Sequence, residues 1–240
     1  MASTSETGHA KNIANLKLLN EINAGFGPAY KPSNNLYQQA NMVAQHSSCK
    51  SLQGDVNTQK GIFEPFQNAR VAEFKDVQKL ARRLRTAAKT CGAVEGFYID
   101  VNKIVNKIVG ERVSKPVATP TDPAGTSASQ MSYDNTVNNM DALAKMLAGE
   151  PLYTPNEADL TVAAVTAKTA ALDTSNNNVK SGAVGYNKAV IARNKGLYTE
   201  TTGLCDVGLG SKEYVKQVFG YSSPEYKSVA KIQFRKLTKK

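Results

Sequence analysis

The chain has 240 residues, 41% of them hydrophobic and none of them Trp, enough to bury a core as one large domain or two small ones. Lys and Arg number 30 against 20 Asp and Glu, and the net charge of +10 favours anionic partners (nucleic acid, a membrane surface or an acidic protein), although charge also serves solubility alone. No stretch approaches the ~20 apolar residues of a spanning helix, the N-terminus has no basic start or apolar run of a secretory signal, and the scattered Cys49, Cys91 and Cys205 suit a reduced setting, so a cytoplasmic protein without a membrane span is expected.

In chain order, a first helix is predicted over 9–24, with Ile13, Leu16, Leu19 and Ile22 on one side, Thr7 or Gly8 as cap, and Gly25, Gly27 and Pro28 as its stop. The loop Tyr30-Lys-Pro32 follows, with Ser33 as the expected cap of a second helix over 33–56. The clearest pattern is 63–91: from Phe74 the positions Val77, Ala81, Leu84, Ala88 and Cys91 recur at steps of three and four, one face of a helix. Pro65 fits its first turn, where a missing N–H does no harm. A short helix over 101–109 ends at Gly110. Residues 112–130 hold three prolines among small polar residues and read as a linker or surface crossing.

The pattern then restarts. Helices are predicted over 132–148 (Ser132 as cap), 156–172 (Asn156 as cap), 179–202 and 211–219 (Ser211 as cap), with a polar break at Asp173–Asn178. Any short β-pair is expected at 230–237.

The two halves resemble each other. Ile13, Leu16, Leu19 and Gly25 match Val137, Met140, Leu143 and Gly149 at an offset of 124, and Tyr30-Lys-Pro32 matches Tyr153-Thr-Pro155 at 123. Val105-x-x-Ile108-Val109-Gly110 resembles Val215-x-x-Val218-Phe219-Gly220. The expected fold is all-α: antiparallel helical bundles built from an internal duplication, with repeats at 1–111 and 131–240 joined by the linker 112–130. Chance likeness between amphipathic helices is the plainer alternative. The opening His9-Ala10-Lys11-Asn12-Ile13-Ala14-Asn15, the Tyr30–Pro32 loop and the close Val218-Phe219-Gly220-Tyr-Ser-Ser-Pro-Glu-Tyr226-Lys resemble a group of helical proteins of Bacteroidota-type bacteria. The resemblance implies a helical fold and a bacterial origin, and no mechanism.

The residues do not gather a catalytic site. His9 and His46 lack a carboxylate or Cys at metal-ligand spacing, no Gly-rich strand–helix turn exists to cradle phosphate, and no acid, base and oxyanion donor converge, so neither an enzyme nor a cofactor is expected. The functional candidates are basic: Arg82, Arg83, Arg85 and Lys89 on the polar face of the 63–91 helix, and Lys231, Arg235 and Lys236 in the tail. A solvated helix face is the plainer reading of the first group, and aromatic residues are not interleaved as in a single-strand platform. Arg193 falls on an apolar seam and calls for a carboxylate from Asp134, Asp141 or Glu200. The expectation is a structural or scaffolding protein that self-assembles as a homo-oligomer or docks to a protein partner through helix faces, with its polar ends, 1–8 and 235–240, held by a neighbour. The alternative is a binder of nucleic acid or another anionic surface through helix 70–89 and the tail.

Overall fold

The computed structural model describes residues 8–111 and 131–236. Among these the chain is all-helical: α1 (His9–Gly25), α2 (Gln39–Phe74), α3 (Val77–Thr90), α4 (Glu95–Val109), α5 (Tyr133–Ala148), α6 (Val162–Tyr198), α7 (Leu204–Phe219) and α8 (Pro224–Ala230), with short 3-10 turns at Gly27–Ala29 and Asn35–Tyr37. No strand occurs among the described residues, and 232–236 has no regular secondary structure. No helix there is long and apolar enough to cross a membrane. The linker 112–130 lies outside the described residues.

Two compact units form. One takes the chain up to Ile62 together with the chain from Ala183 onward, and the other is Phe63–Gly182. The sequence divides at a linker instead, into 1–111 and 131–240, so each unit draws on both expected repeats. The divisions fall inside the two longest helices, α2 and α6.

In the first unit Ile13, Leu16 and Leu19 of α1 pack with Met42 and Cys49 of α2, Leu197 of α6, Leu204, Val207 and Val215 of α7, and Val229, Ile232 and Phe234. The asparagines of the opening motif strap the segment 232–236 to α1. Asn15 Nδ2 donates to the Gln233 carbonyl (2.7 Å), Asn12 Nδ2 to the Arg235 carbonyl (2.8 Å), and the Arg235 N–H donates to Asn12 Oδ1 (3.1 Å). These bonds satisfy backbone groups that a strand partner would otherwise take. Phe234 lies so close to Gly208 that a Cβ there would stand 2.5 Å from its ring.

In the second unit Val77, Ala81, Leu84 and Ala88 of α3 pack with Val101, Val105 and Ile108 of α4, with Val137, Met140, Leu143 and Leu147 of α5, and with Val165 and Leu172 of α6. Of the apolar face read from the sequence, Val77, Ala81, Leu84 and Ala88 are buried, and Phe74 and Cys91 at its ends are only half-buried. Ser132 caps α5, accepting from the Asn135 N–H (3.2 Å).

Several boundaries move. Pro65 lies inside α2 rather than in a first turn, and the chain breaks later, at Lys75–Asp76. Phe63 and Phe66 hold this part of α2 against Gly182 of α6, where a Cβ would meet their atoms at 3.1–3.4 Å. Packing of this closeness outweighs the cost of one missing helical N–H. The expected break at Asp173–Asn178 is helical. Its polar residues serve contacts instead: Asn176 accepts from Arg70 Nη1 (3.0 Å) and donates to Asp134 Oδ1 (2.6 Å), which Lys180 also reaches (2.6 Å). Arg70 in turn lies 4.0 Å over the Tyr133 ring. Ser33 and Asn156 cap no helix; Asn34 accepts from the Leu36 N–H (2.9 Å). Ser211, the expected cap, is buried inside α7, which starts at Leu204, and α4 starts at Glu95, six residues before its predicted start.

Candidate functional site

Each unit carries an open groove beside its Tyr-x-Pro loop. In the second unit the loop Leu152–Glu157 faces α3 across a groove of about 720 Å³, lined by Lys79, Arg82, Arg83, Thr86, Thr90 and Cys91. In the first unit Pro32, Ser33, Asn34 and Tyr37 face Gly210, Glu213, Tyr214, Gln217 and Tyr221 across a groove of about 660 Å³.

The tyrosines that open these loops are buried and bonded alike. Tyr30 Oη donates to the carbonyl of Tyr37 (2.8 Å), and Tyr153 Oη donates to the carbonyl of Leu160 (2.9 Å), in both cases seven residues onward. Each bond ties the end of the loop to its start. Burial pushes the Tyr153 hydroxyl up to about 12. It raises Tyr30 too, while the hydrogen bond with Ser211 works the other way.

The basic candidates are largely engaged within the chain. Arg83 makes a two-pronged pair with Asp159, whose carboxyl is held below its usual range by that hydrogen bond. Arg85 Nη1 reaches Glu111 (3.0 Å), Asn106 (3.2 Å) and Asn102 (3.3 Å); Arg82 Nε lies 3.5 Å from Glu111, and Arg85 first and then Arg82 lower that carboxyl. Lys89 stands 5.7 Å over the Tyr98 ring. In the tail, Lys236 pairs with Asp206 (2.8 Å) and Arg235 Nη2 donates to Gln233 (3.0 Å), while Lys231 is exposed. Lys236, within the end expected to be held by a neighbour, thus pairs with an aspartate of its own unit. Residues 1–7 and 237–240, the rest of the expected clamps, lie outside the described residues.

Arg193 is 8% exposed, and its described hydrogen bonds go to Asn194 Oδ1 (3.1 and 2.8 Å) rather than to a carboxylate. Desolvation lowers its pKa, and the Tyr198 and Tyr186 hydroxyls oppose that shift. Asp134 is taken by Lys180 and Asn176, and Asp141 by Lys145 (2.6 Å). His9 Nδ1 bonds to Tyr198 Oη (2.7 Å), and desolvation, then Arg193, lowers its pKa. Burial drives the Cys49 thiol to about 11 and Cys205 to about 12, away from thiolate reactivity. Among the described residues no group of three His, Cys, Asp or Glu is placed to hold a metal ion.

The grooves were not foreseen from the sequence. Tyr37, Tyr214 and Tyr221 belong to no apolar period, and only the doubled Tyr-x-Pro marked the two loops as alike. Comparison with models of protein families, with curated proteins and with solved structures finds no match for the chain.

Proposed function

We propose that this is a non-enzymatic scaffolding protein, built from a duplicated helical repeat, that self-associates or docks protein partners at the grooves beside its two Tyr-x-Pro loops. The observation that carries the reading is the recurrence of one clasp and one groove: a tyrosine bonded to a carbonyl seven residues on, next to an open cleft, in each unit.

The order and length of the helices support duplication. Lengths of 17, 36, 14 and 15 residues for α1 to α4 stand against 16, 37, 16 and 7 for α5 to α8. Buried positions of α3 and α7 also correspond at a constant offset of 127: Val77 with Leu204, Ala81 with Gly208, Leu84 with Ser211, and Ala88 with Val215. This pairing sets Gly220 (φ 89°) one position past the counterpart of Gly92 (φ 85°), not on Gly110 as the sequence likeness has it. Both glycines have a positive φ, which favours glycine.

The charged groups favour holding over catalysis. The carboxyls of Asp134, Asp159, Glu111 and Asp206 are all lowered, by Lys180, Arg83, Arg85 and Lys236 respectively, opposite to the rise a general acid needs near neutrality. The same pairing weakens the anion-binding alternative, because Arg82, Arg83 and Arg85 already face carboxylates. On α6, Val184 and Ile191 are exposed two turns apart and add an apolar face. Three free cysteines fit a cytoplasmic setting.

Sedimentation equilibrium over a wide concentration range, at low and high salt, tests the reading. It predicts a mass that rises with concentration and persists in salt. A monomer at every concentration that binds nucleic acid and releases it as salt rises would favour the anionic alternative.

A further inference from the structure

The groove of the first unit has a lining unlike its counterpart. Three tyrosines and a proline shape it, with Ser33, Asn34 and Gln217 as hydrogen-bonding groups between them. Each tyrosine is braced from behind. Tyr37 lies directly on Gly210, where any side chain would strike its ring. Tyr214 stands edge-on to Tyr30, with centroids 5.3 Å apart and planes at 86°. Tyr221 rests against Tyr226 at 5.6 Å and is 73% exposed, and the Lys216 ammonium lies 5.9 Å from the first ring and 6.0 Å from the second. Rings held in this way lose little freedom on binding.

Fixed tyrosines separated by amide and hydroxyl groups suit a polyproline II strand. Such a strand has no internal hydrogen bonds, so its carbonyls are open to side-chain donors, and its proline rings lie flat on aromatic faces. The chain carries a matching sequence. Pro116, Pro120 and Pro123 fall within 112–130, and Pro120-Thr-Asp-Pro123 sets two prolines three residues apart, one turn of that helix. Lys216 of the groove is paired with Glu213 (3.1 Å), so the match rests on the prolines and not on the charge of Asp122 between them. The flanks of this segment meet in the second unit, where the Met131 thioether lies against Gly110.

We propose that the tyrosine-lined groove of the first unit binds a Pro-x-x-Pro strand, and that its occupant is residues 116–123 of a second copy of the chain. This deepens the scaffolding reading and rests on it, since it names which groove joins the copies and what enters it.

The test uses the intact protein and a labelled synthetic peptide of residues 114–125, followed by fluorescence anisotropy. Saturable binding is expected, weakened about tenfold or more by Tyr221→Ala, a change at an exposed side chain that leaves the core untouched. Arg82→Ala, in the other groove, should leave it unchanged, and a peptide with both Pro120 and Pro123 replaced by Ala should not bind. In sedimentation, the intact chain should associate, and P120A/P123A should shift it to monomer. No peptide binding, or equal binding by the Tyr221→Ala protein, would overturn the groove assignment. Association of the intact chain that survives P120A/P123A would overturn this occupant while leaving the scaffolding reading in place. A monomer at all concentrations would overturn the second copy and self-association together, even if the free peptide binds.

Discussion

In the first unit the Tyr30 hydroxyl ends a chain of polar groups, whereas in the second Tyr153 belongs to an apolar cluster and the described hydrogen bond of its hydroxyl goes to the Leu160 carbonyl. Asn23 Nδ2 donates to Ser211 Oγ (2.9 Å), Ser211 Oγ shares a hydrogen bond with Tyr30 Oη (2.9 Å), and Tyr30 Oη donates to the Tyr37 carbonyl. At the offsets of the proposed repeat, Asn23 corresponds to Leu147 and Ser211 to Leu84, and all four residues are fully buried. One clasp therefore tolerates two surroundings. The hydrocarbon version rests on burial, which is non-directional and worth more per residue. The polar version contributes less net free energy but fixes direction, since each buried donor must find its own acceptor. It also leaves Asn23 Oδ1 buried with no hydrogen-bond partner among the described residues.

The largest effect should come from the hydrocarbon side. Leu84→Ala should destabilise the protein by about 2–5 kcal/mol, the range for a large-to-small core change, in a denaturant titration. A loss below ~0.5 kcal/mol would place Leu84 outside any core.

Next come the two hydroxyls. Tyr153→Phe leaves one buried carbonyl without its donor, while Tyr30→Phe also removes the hydrogen bond between Tyr30 and Ser211, so both should cost stability within about 1–3 kcal/mol and Tyr30→Phe should cost more. Equal losses would mean that the polar chain adds nothing to the clasp.

Asn23→Leu converts the first surrounding part-way toward the second. It removes the unpartnered oxygen and leaves Ser211 bonded to Tyr30, so the expected change lies between neutral and a gain of about 1 kcal/mol. A loss above that size would show that Asn23 holds α1 to α7 in a way a leucine cannot.

The smallest effect separates the units by pH. Both histidines, His9 and His46, belong to the first unit, and the second has none. Desolvation lowers both, with Arg193 adding to the effect at His9 and Lys50 and Lys17 at His46, where Glu21 opposes. Their folded pKa values therefore lie below the unfolded 6.5, and the unfolded chain binds more protons in that interval. Stability should be full above 6.5 and fall as pH drops through the lowered values. His9→Gln should flatten part of that slope, as followed by thermal melts from pH 7.5 to 5. A slope of opposite sign would contradict the assigned burial.

The helical class, the buried face of α3 and the Ser132 cap were legible because each rests on local spacing or on one residue acting on its own helix. The continuity of α6 was not. Asn and Ser runs favour turns and caps in isolation, and here Asn176 is held in the helix by Arg70 and Asp134, which lie 106 and 42 residues away. Pro65 misled for the same reason, since the phenylalanines that keep α2 whole act through Gly182. At the candidate sites, charge density alone marked α3, but the sequence could not show that Asp159 and Glu111 face its arginines. The tyrosine groove was invisible because its residues come from a loop, from α7 and from just beyond α7's end, and share no period.

The most direct measurement is hydrogen exchange by mass spectrometry on the intact chain, at one concentration below and one above the onset of association. Docking at the first unit's groove predicts added protection confined to residues 32–37, 210–221 and 116–123, unchanged by salt. Protection appearing instead over 79–91 and lost in salt, or no protection that depends on concentration, would contradict it.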